Sequence, residues 1–243
     1  MKKYSLHIKF LSLTLLVIFL FGFASRRNAH KSINHIDVIF ENGDNLFISY
    51  EMVNKLLIQS LDANKNKSKE NINLNSLEEF VQSNDMVENA EIFLSLNGDL
   101  GALITQRTPI LRVSNGKESY YYDKQGIKMP LSDNYSARVP ITSNELNSEN
   151  CHDIICMANK IKNDKFLNKQ IIGIRQIETN GKIQFELTTR MGNQIVIFGE
   201  FKKVDEKIKK LKVFYQKSIS DNTLENYKSI NLKFENQVVC AKY

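Results

Sequence analysis

Hydrophobic and polar positions change period several times along this chain, and each change predicts a boundary. An uncharged apolar run from Phe10 to Ala24 follows Lys2, Lys3 and Lys9 and ends at Arg26 and Arg27. At about fifteen residues it falls short of the ~20 that span a bilayer as a helix. Leu6 and Ile8 extend it toward the N-terminus while Lys9 snorkels to the interface. Bulky Phe19, Leu20, Phe21 and Phe23 crowd the place where a cleavage signal needs small side chains, which favours retention as an anchor. Gly22 and Ala24 keep cleavage after Ala24 open as the alternative. A very short N-terminal tail predicts a cytoplasmic stub with the long remainder exported.

Beyond residue 32, strand and helix periods alternate. Ile33, Ile36, Val38, Ile39 and Phe40 make a short β segment that stops at the turn signal Glu41-Asn42-Gly43-Asp44. Ser49 is the expected N-cap of a helix that places Met52, Val53, Leu56, Leu57 and Leu61 on one face. The Lys- and Asn-rich residues 62–71 predict a solvated loop. A second helix, capped by Asn75 or Ser76, turns Leu77, Phe80 and Val81 inward and ends at residues 83–85. Strands follow at 87–96 and 100–105, joined through Asn97-Gly98, whose tolerance of left-handed backbone makes it a strong hairpin signal. Asn115-Gly116 joins 110–113 to 120–122, and Asn180-Gly181 joins 171–179 to 182–189, so a hairpin meander is expected. Gly192-Asn193 leads into a strand at 194–198. Val204, Ile208, Leu211 and Tyr215 then share a face of a helix at 204–218. Ile230, Leu232 and Phe234 alternate with Asn231, Lys233 and Glu235 as a closing strand, with a turn or bulge at Glu235-Asn236 before Val238 and Val239.

Composition narrows the function classes. With 42% hydrophobic and 25% charged residues, the 243-residue chain is neither disordered nor polytopic. Its 33 Lys+Arg against 27 Asp+Glu are interspersed, and no aromatic residues interleave with the lysines, so nucleic acid is disfavoured. The lysines at 202, 203, 207, 209, 210 and 212 are expected on the solvated face of a helix. Phosphate-loop, nucleophile-elbow, zinc-helix and dinucleotide fingerprints are missing, so no catalytic residue, cofactor or small-molecule substrate is assigned. Cys151, His152 and Cys156 are the one cluster of metal-ligand types, without a second pair at suitable spacing. They are read as small side chains on a core helix with Ile154, Ile155, Ala158 and Ile161, and no metal site is expected. A Cys240 pairing with either cysteine stays open. An envelope enzyme using scattered residues around Cys151 and His152 is one alternative. The Tyr120-Tyr121-Tyr122 run is expected to be a strand end.

The β-α-α-β-β order after an apolar anchor resembles a POTRA domain. Gln106-Arg107-Thr108-Pro109-Ile110 resembles the E-R-x-P-[IV] signature that closes this unit in the FtsQ/DivIB family of bacterial division proteins. Tyr122-Asp123-Lys124-Gln125-Gly126 with Met129-Pro130 is similar to the family's Y-x-D-x-x-G…P stretch, and Arg138-Val139-Pro140-Ile141 to its L-P-V segment. Residues 192–199, the Lys-rich helix and Ile230-Asn231-Leu232-Lys233-Phe234 resemble its closing strand, helix and V-D-L-R-Y strand. The resemblance implies an α+β protein with a cytoplasmic tail at 1–9, a transmembrane signal anchor at 10–25, a linker at 26–32, a POTRA-like domain at 33–109 and a mostly antiparallel β domain at 110–243. It implies a non-enzymatic divisome scaffold in the inner membrane at the division site. This scaffold recruits FtsB- and FtsL-like single-pass partners by β-augmentation at the final strand. The implied partner-binding residues are Ile230, Leu232, Lys233, Phe234 and Val238. Lys233 and Phe234 fall where the family has Arg and an interface Tyr. Ile230, Leu232 and Phe234 equally fit ordinary core positions. Residues 33–40 with the following helix are a second candidate surface, and a POTRA-bearing assembly or secretion factor is the other alternative.

Overall fold

The computed structural model describes residues 2–29, 33, 35–41, 43, 45–63, 72–95, 97–144, 146 and 151–243, apart from the side chains of residues 2–8, 24–29, 62 and 63. It divides into two compact units, Met1–Arg107 and Thr108–Tyr243. Helix α1 (Lys2–Ala29) opens the first unit. It carries the apolar run, and its side chains from residue 9 to 23 are all exposed. The helix reaches beyond the expected anchor into the expected tail and linker, since Arg26 and Arg27 are still helical. Among the described residues no helix is long and apolar enough to cross a membrane. Most of the predicted loop at 62–71, and residues 30–32 of the linker, lie outside the described residues.

The rest of the first unit follows the expected β-α-α-β-β order: β1 (Ile36–Phe40), α2 (Tyr50–Ala63), α3 (Leu74–Gln82), β2 (Val87–Leu94) and β3 (Leu100–Gln106). Strand β3 lies in the middle, antiparallel to β2 across the Asn-Gly hairpin and parallel to β1. Ser49 Oγ accepts the Met52 amide at 3.3 Å, the cap that its position predicts. Val53, Leu57, Leu77 and Val81 are buried, whereas Met52 and Phe80 point out. The cap of α3 is Asn73 rather than Asn75 or Ser76, and its side chain accepts the Ser76 amide at 3.2 Å. Asn73, Asn75 and Ser76 are three capping side chains within four residues, so the boundary was ambiguous in the sequence.

The second unit is one nine-stranded sheet with helices. Its elements are β4 (Pro109–Ser114), β5 (Ser119–Asp123), β6 (Lys128–Met129), β7 (Ile141–Thr142), α4 (Cys151–Asn163), α5 (Lys165–Gln170), β8 (Ile171–Thr179), β9 (Lys182–Thr189), β10 (Ile195–Gly199), α6 (Val204–Ser220), β11 (Tyr227–Asn231) and β12 (Val239–Lys242). The spatial order is β12-β11-β10-β9-β8-β7-β4-β5-β6. Most neighbours are antiparallel, but β7 is parallel to both β4 and β8, and β10 to β11. A pure meander is therefore corrected. Each helical stretch between consecutive strands, α4–α5 and α6, carries the chain back so that the next strand enters in the same direction, as a crossover connection requires.

Ile154, Ile155, Ala158 and Ile161 of α4 and Ile208, Leu211 and Tyr215 of α6 share one core with Leu111, Ile174, Phe185, Leu187, Val196, Phe198, Ile230 and Leu232. Asp164 caps α5 by accepting the Phe166 and Leu167 amides at 3.0 Å. Gln194 is fully buried and still satisfied: Tyr215 donates to its Oε1 at 2.8 Å, and its Nε2 donates to the Leu224 carbonyl at 2.6 Å. That knot ties the β9–β10 turn to α6 and to the short helical turn preceding β11.

Candidate interaction edge

Both ends of a sheet expose unpaired backbone groups, and in the second unit the chain's last strand forms one of these ends. Among the described residues strand β12 pairs only with β11, antiparallel, with Asn231 opposite Val239, Ile230 opposite Cys240 and Ser229 opposite Ala241. Backbone alternation identifies the groups left over. Leu232 N donates to Ile197 O at 3.0 Å on the β10 side, so Asn231 and Ser229 turn their amides and carbonyls toward β12. Their partners Val239 and Ala241 turn inward, as does Tyr243, whose amide donates to Asn226 O at 3.3 Å. The backbone groups of Cys240 and Lys242 therefore face away from the sheet. Val238 and Cys240 pack their side chains on the core, and Val239 is 43% exposed on the other face.

Beside the partly buried Val238, the predicted site residues fall into two groups. Ile230 and Leu232 are fully buried core residues. Strand β11 ends at Asn231 and has a neighbour on each side, so the expected closing strand at 230–234 is not the edge. Lys233 and Phe234 lie beyond its end in the turn to β12, exposed, with Phe234 at 46%. The alternation of apolar residues continued past the strand because Leu232 still reaches the core through an extended backbone.

Helix α6 holds that turn. Lys210 Nζ lies 3.2 Å from the carbonyl oxygens of Leu232 and Glu235 and also donates to that of Phe234. Three ammonium hydrogens meet three acceptors. Lys203, which precedes α6 in a left-handed conformation (φ 51°), pairs with Glu235. This pairing lowers the Glu235 pKa and raises that of Lys203. Lys207 Nζ donates to Glu200 O at 2.8 Å and sits 4.8 Å from the centre of the Phe198 ring. Burial, then the charge of Lys210, pushes its pKa down. Gly199, at φ 75°, passes so close that a Cβ there would stand 2.7 Å from Lys233 Cγ, so glycine is required both for conformation and for space. Glu200, Lys203, Lys207, Lys210, Lys233 and Phe234 line a cleft of about 310 Å³ beside the turn. These lysines were expected in solvent, since their three- and four-residue spacing gives no hint that Lys203 and Lys210 reach back to a distant turn.

The Cys151 and His152 cluster does not build a site. Cys156 Sγ is 3.6 Å from His152 Nε2, one helical turn away, and burial pushes the Cys151 thiol up, the wrong direction for a nucleophile. All three cysteines are free, so no Cys240 pairing forms. Among the described residues no group of three or more His, Cys, Asp or Glu is placed to hold a metal.

No curated protein matches the chain. The family described as FtsQ/DivIB, C-terminal related, matches residues 108–241, which is more than half of the chain and nearly all of the second unit. By that match the chain belongs to the FtsQ/DivIB family, a family of non-enzymatic bacterial cell division proteins.

Proposed function

We propose that the protein is a bitopic inner-membrane scaffold of the divisome that binds an FtsB- or FtsL-like single-pass partner by adding the partner's strand to β12. The observation that carries this reading is the open edge: a four-residue strand at the end of a nine-stranded sheet, with the Cys240 and Lys242 backbone groups turned outward. A docking strand gains ladder hydrogen bonds there, while Val239, Phe234 and Lys233 supply side-chain contacts. Ile230 and Leu232 support the edge from the core, and Val238 seats it. In this reading the apolar run of α1 is the retained anchor, the first unit is a POTRA-like domain, and both units lie outside the cytoplasmic membrane. An assembly or secretion factor is the weaker alternative, because it has no need of the division-family β domain that residues 108–241 match.

The structure changes how the reading is tested. Truncation before Ile230 would remove two buried core residues and unfold the unit, so loss of function would be uninformative. Cys240→Pro instead deletes an outward amide without touching a ladder bond to β11. A fluorescent fusion on the cytoplasmic N-terminus is expected to band at mid-cell, and Cys240→Pro is expected to abolish recruitment of the partner. Uniform envelope signal of the unaltered protein in dividing cells would contradict the proposal. Immunoblotting for the N-terminal stub tests retention of the anchor.

A further inference from the structure

The three-stranded sheet of the first unit presents one face to α2 and α3 and the other to solvent. Strand register lays out the solvent face in three rows. Asp37, Gly101 and Phe93 form the first; Ile39, Leu103 and Glu91 the second; Glu41, Thr105 and Asn89 the third. The opposite face carries Phe40, Ala90, Ile92, Leu100, Ala102 and Ile104, all buried.

Apolar side chains gather at the centre of the solvent face. Phe93 lays its ring across Gly101: a Cβ at that glycine would stand 2.3 Å from two ring carbons, so only glycine lets the ring lie there. Phe93 is nevertheless 51% exposed, and Ile39 beside Leu103 is 47% exposed. Strand spacing makes the apolar patch roughly 10 Å wide and 7 Å long within a three-row face roughly 14 Å long, and that face matches the footprint of about two helical turns. Asp37, Glu41 and Glu91 stand around it, all exposed, and no Lys or Arg occurs in the three strands.

Charge over the whole segment points the same way. Residues 33–107 hold 12 Asp and Glu against 5 Lys and Arg, a net −7 in a chain whose total is +6. Of those five cations, Arg107 is buried and donates to Val87 O at 2.9 Å, and Lys55 belongs to α2 on the other side of the sheet. An acidic rim around an apolar centre repels anionic lipid. Pairing with the same face of a second copy would set Asp37, Glu41 and Glu91 against like charges.

We infer that this face is a docking surface for a basic amphipathic segment of another protein, whose apolar stripe covers Phe93, Leu103 and Ile39 while its Lys and Arg residues meet Asp37, Glu41 and Glu91. The surface is separate from the β12 edge and does not depend on it.

Full-length protein in detergent micelles, titrated into a fluorescently labelled amphipathic Leu/Lys peptide, tests the inference by anisotropy. A Leu/Glu peptide of the same pattern is the charge-reversed probe. Relative to unaltered protein in the same micelles, the double variant Asp37→Lys with Glu91→Lys is expected to bind the Leu/Lys peptide at least about tenfold more weakly. Ile39→Ser is expected to weaken it as well, and added salt is expected to weaken binding to the unaltered protein. Cys240→Pro is expected to leave it unchanged, which separates this surface from the edge. Circular dichroism checks that the variants stay folded; the double variant changes only exposed carboxylates. Equal affinity of the double variant and the unaltered protein would overturn the inference. So would equal binding of the Leu/Glu peptide, or a dimer of the unaltered protein that the double variant dissolves.

Discussion

The nine-stranded sheet of the second unit has two ends, and they are built differently. At one end β6 is two residues long, is followed by Pro130, and turns Met129 fully into the core. Lys128 is held over the Tyr120 ring at 3.9 Å and also reaches Glu118. At the other end β12 is four residues long, no proline occurs after Pro140, and a clip of lysines from α6 fixes the turn that leads into it. Shortness, proline and an edge lysine are the devices by which proteins protect a sheet edge from pairing. Strand β6 is the shorter of the two and adjoins a proline, whereas β12, which also carries an edge lysine, Lys242, is longer and is braced at its turn. The two ends of one sheet thus differ in how far their backbone groups are shielded from a further strand.

The contrast breaks most severely if β11 is damaged, because β12 hangs on it. Leu232→Ala removes a fully buried side chain and is expected to cost about 2–5 kcal/mol, read as a fall in the midpoint of urea unfolding. Next in size is the edge itself. Cys240→Pro is expected to weaken partner binding about 100-fold or more, roughly 2.7 kcal/mol, with a smaller fall in the urea midpoint than Leu232→Ala, because the Cys240 side chain is only partly buried against the core. Proline at Lys128 on β6 is expected to leave partner affinity within about twofold. Lys210→Met comes third. It strips three carbonyl oxygens of their donor, and a calorimetric titration is expected to show partner affinity down by about tenfold as the edge loses its fixed register.

The smallest effect is that of pH on the same clip. The Glu235 carboxyl is held below its ordinary pKa by the Lys203 bond, so its contribution is present above the unfolded-state value and is lost as pH falls through the folded-state value. Lys203 is raised, so its contribution is present at lower pH and disappears as pH climbs through its folded-state value. The pair is intact from about pH 5 to about pH 10. Amide exchange at residues 235–239 is expected to speed up below that window, while β6 amides show no matching step. A step of equal size at both edges would dissolve the comparison.

Much of this architecture was readable from residue patterns alone, for local reasons. The strands at 171–179 and 182–189 were bounded correctly because Asn180-Gly181, which carries positive φ at both residues, separates them and Ile183, Phe185 and Leu187 alternate in the second. Helix α6 was visible from Val204, Ile208, Leu211 and Tyr215 on one face. Partner choice among strands was not visible. Nothing in the composition of Ile195–Gly199 says that its next neighbour is reached through α6 and runs parallel to it. Two-residue strands such as β7 carry no period at all. The end of β11 was not legible, because Ile230, Leu232 and Phe234 alternate whether or not the ladder continues. Only the pairing of Asn231 with Val239 shows where it turns back. The acidic face of the first unit escaped notice because its carboxylates are scattered in sequence and meet only through the β1-β3-β2 register.

Which backbone groups of β12 become protected in a complex decides whether a partner strand adds to this edge. Hydrogen exchange followed by NMR, on the full-length protein with and without the extracytoplasmic segment of an FtsB-like partner, reads this residue by residue. New protection is expected at the amides of Cys240 and Lys242, with Val239 and Ala241 protected by β11 already in the free protein. Unchanged exchange at Cys240 and Lys242 in a saturated complex, with new protection appearing along β6 or elsewhere, would contradict strand addition at this edge.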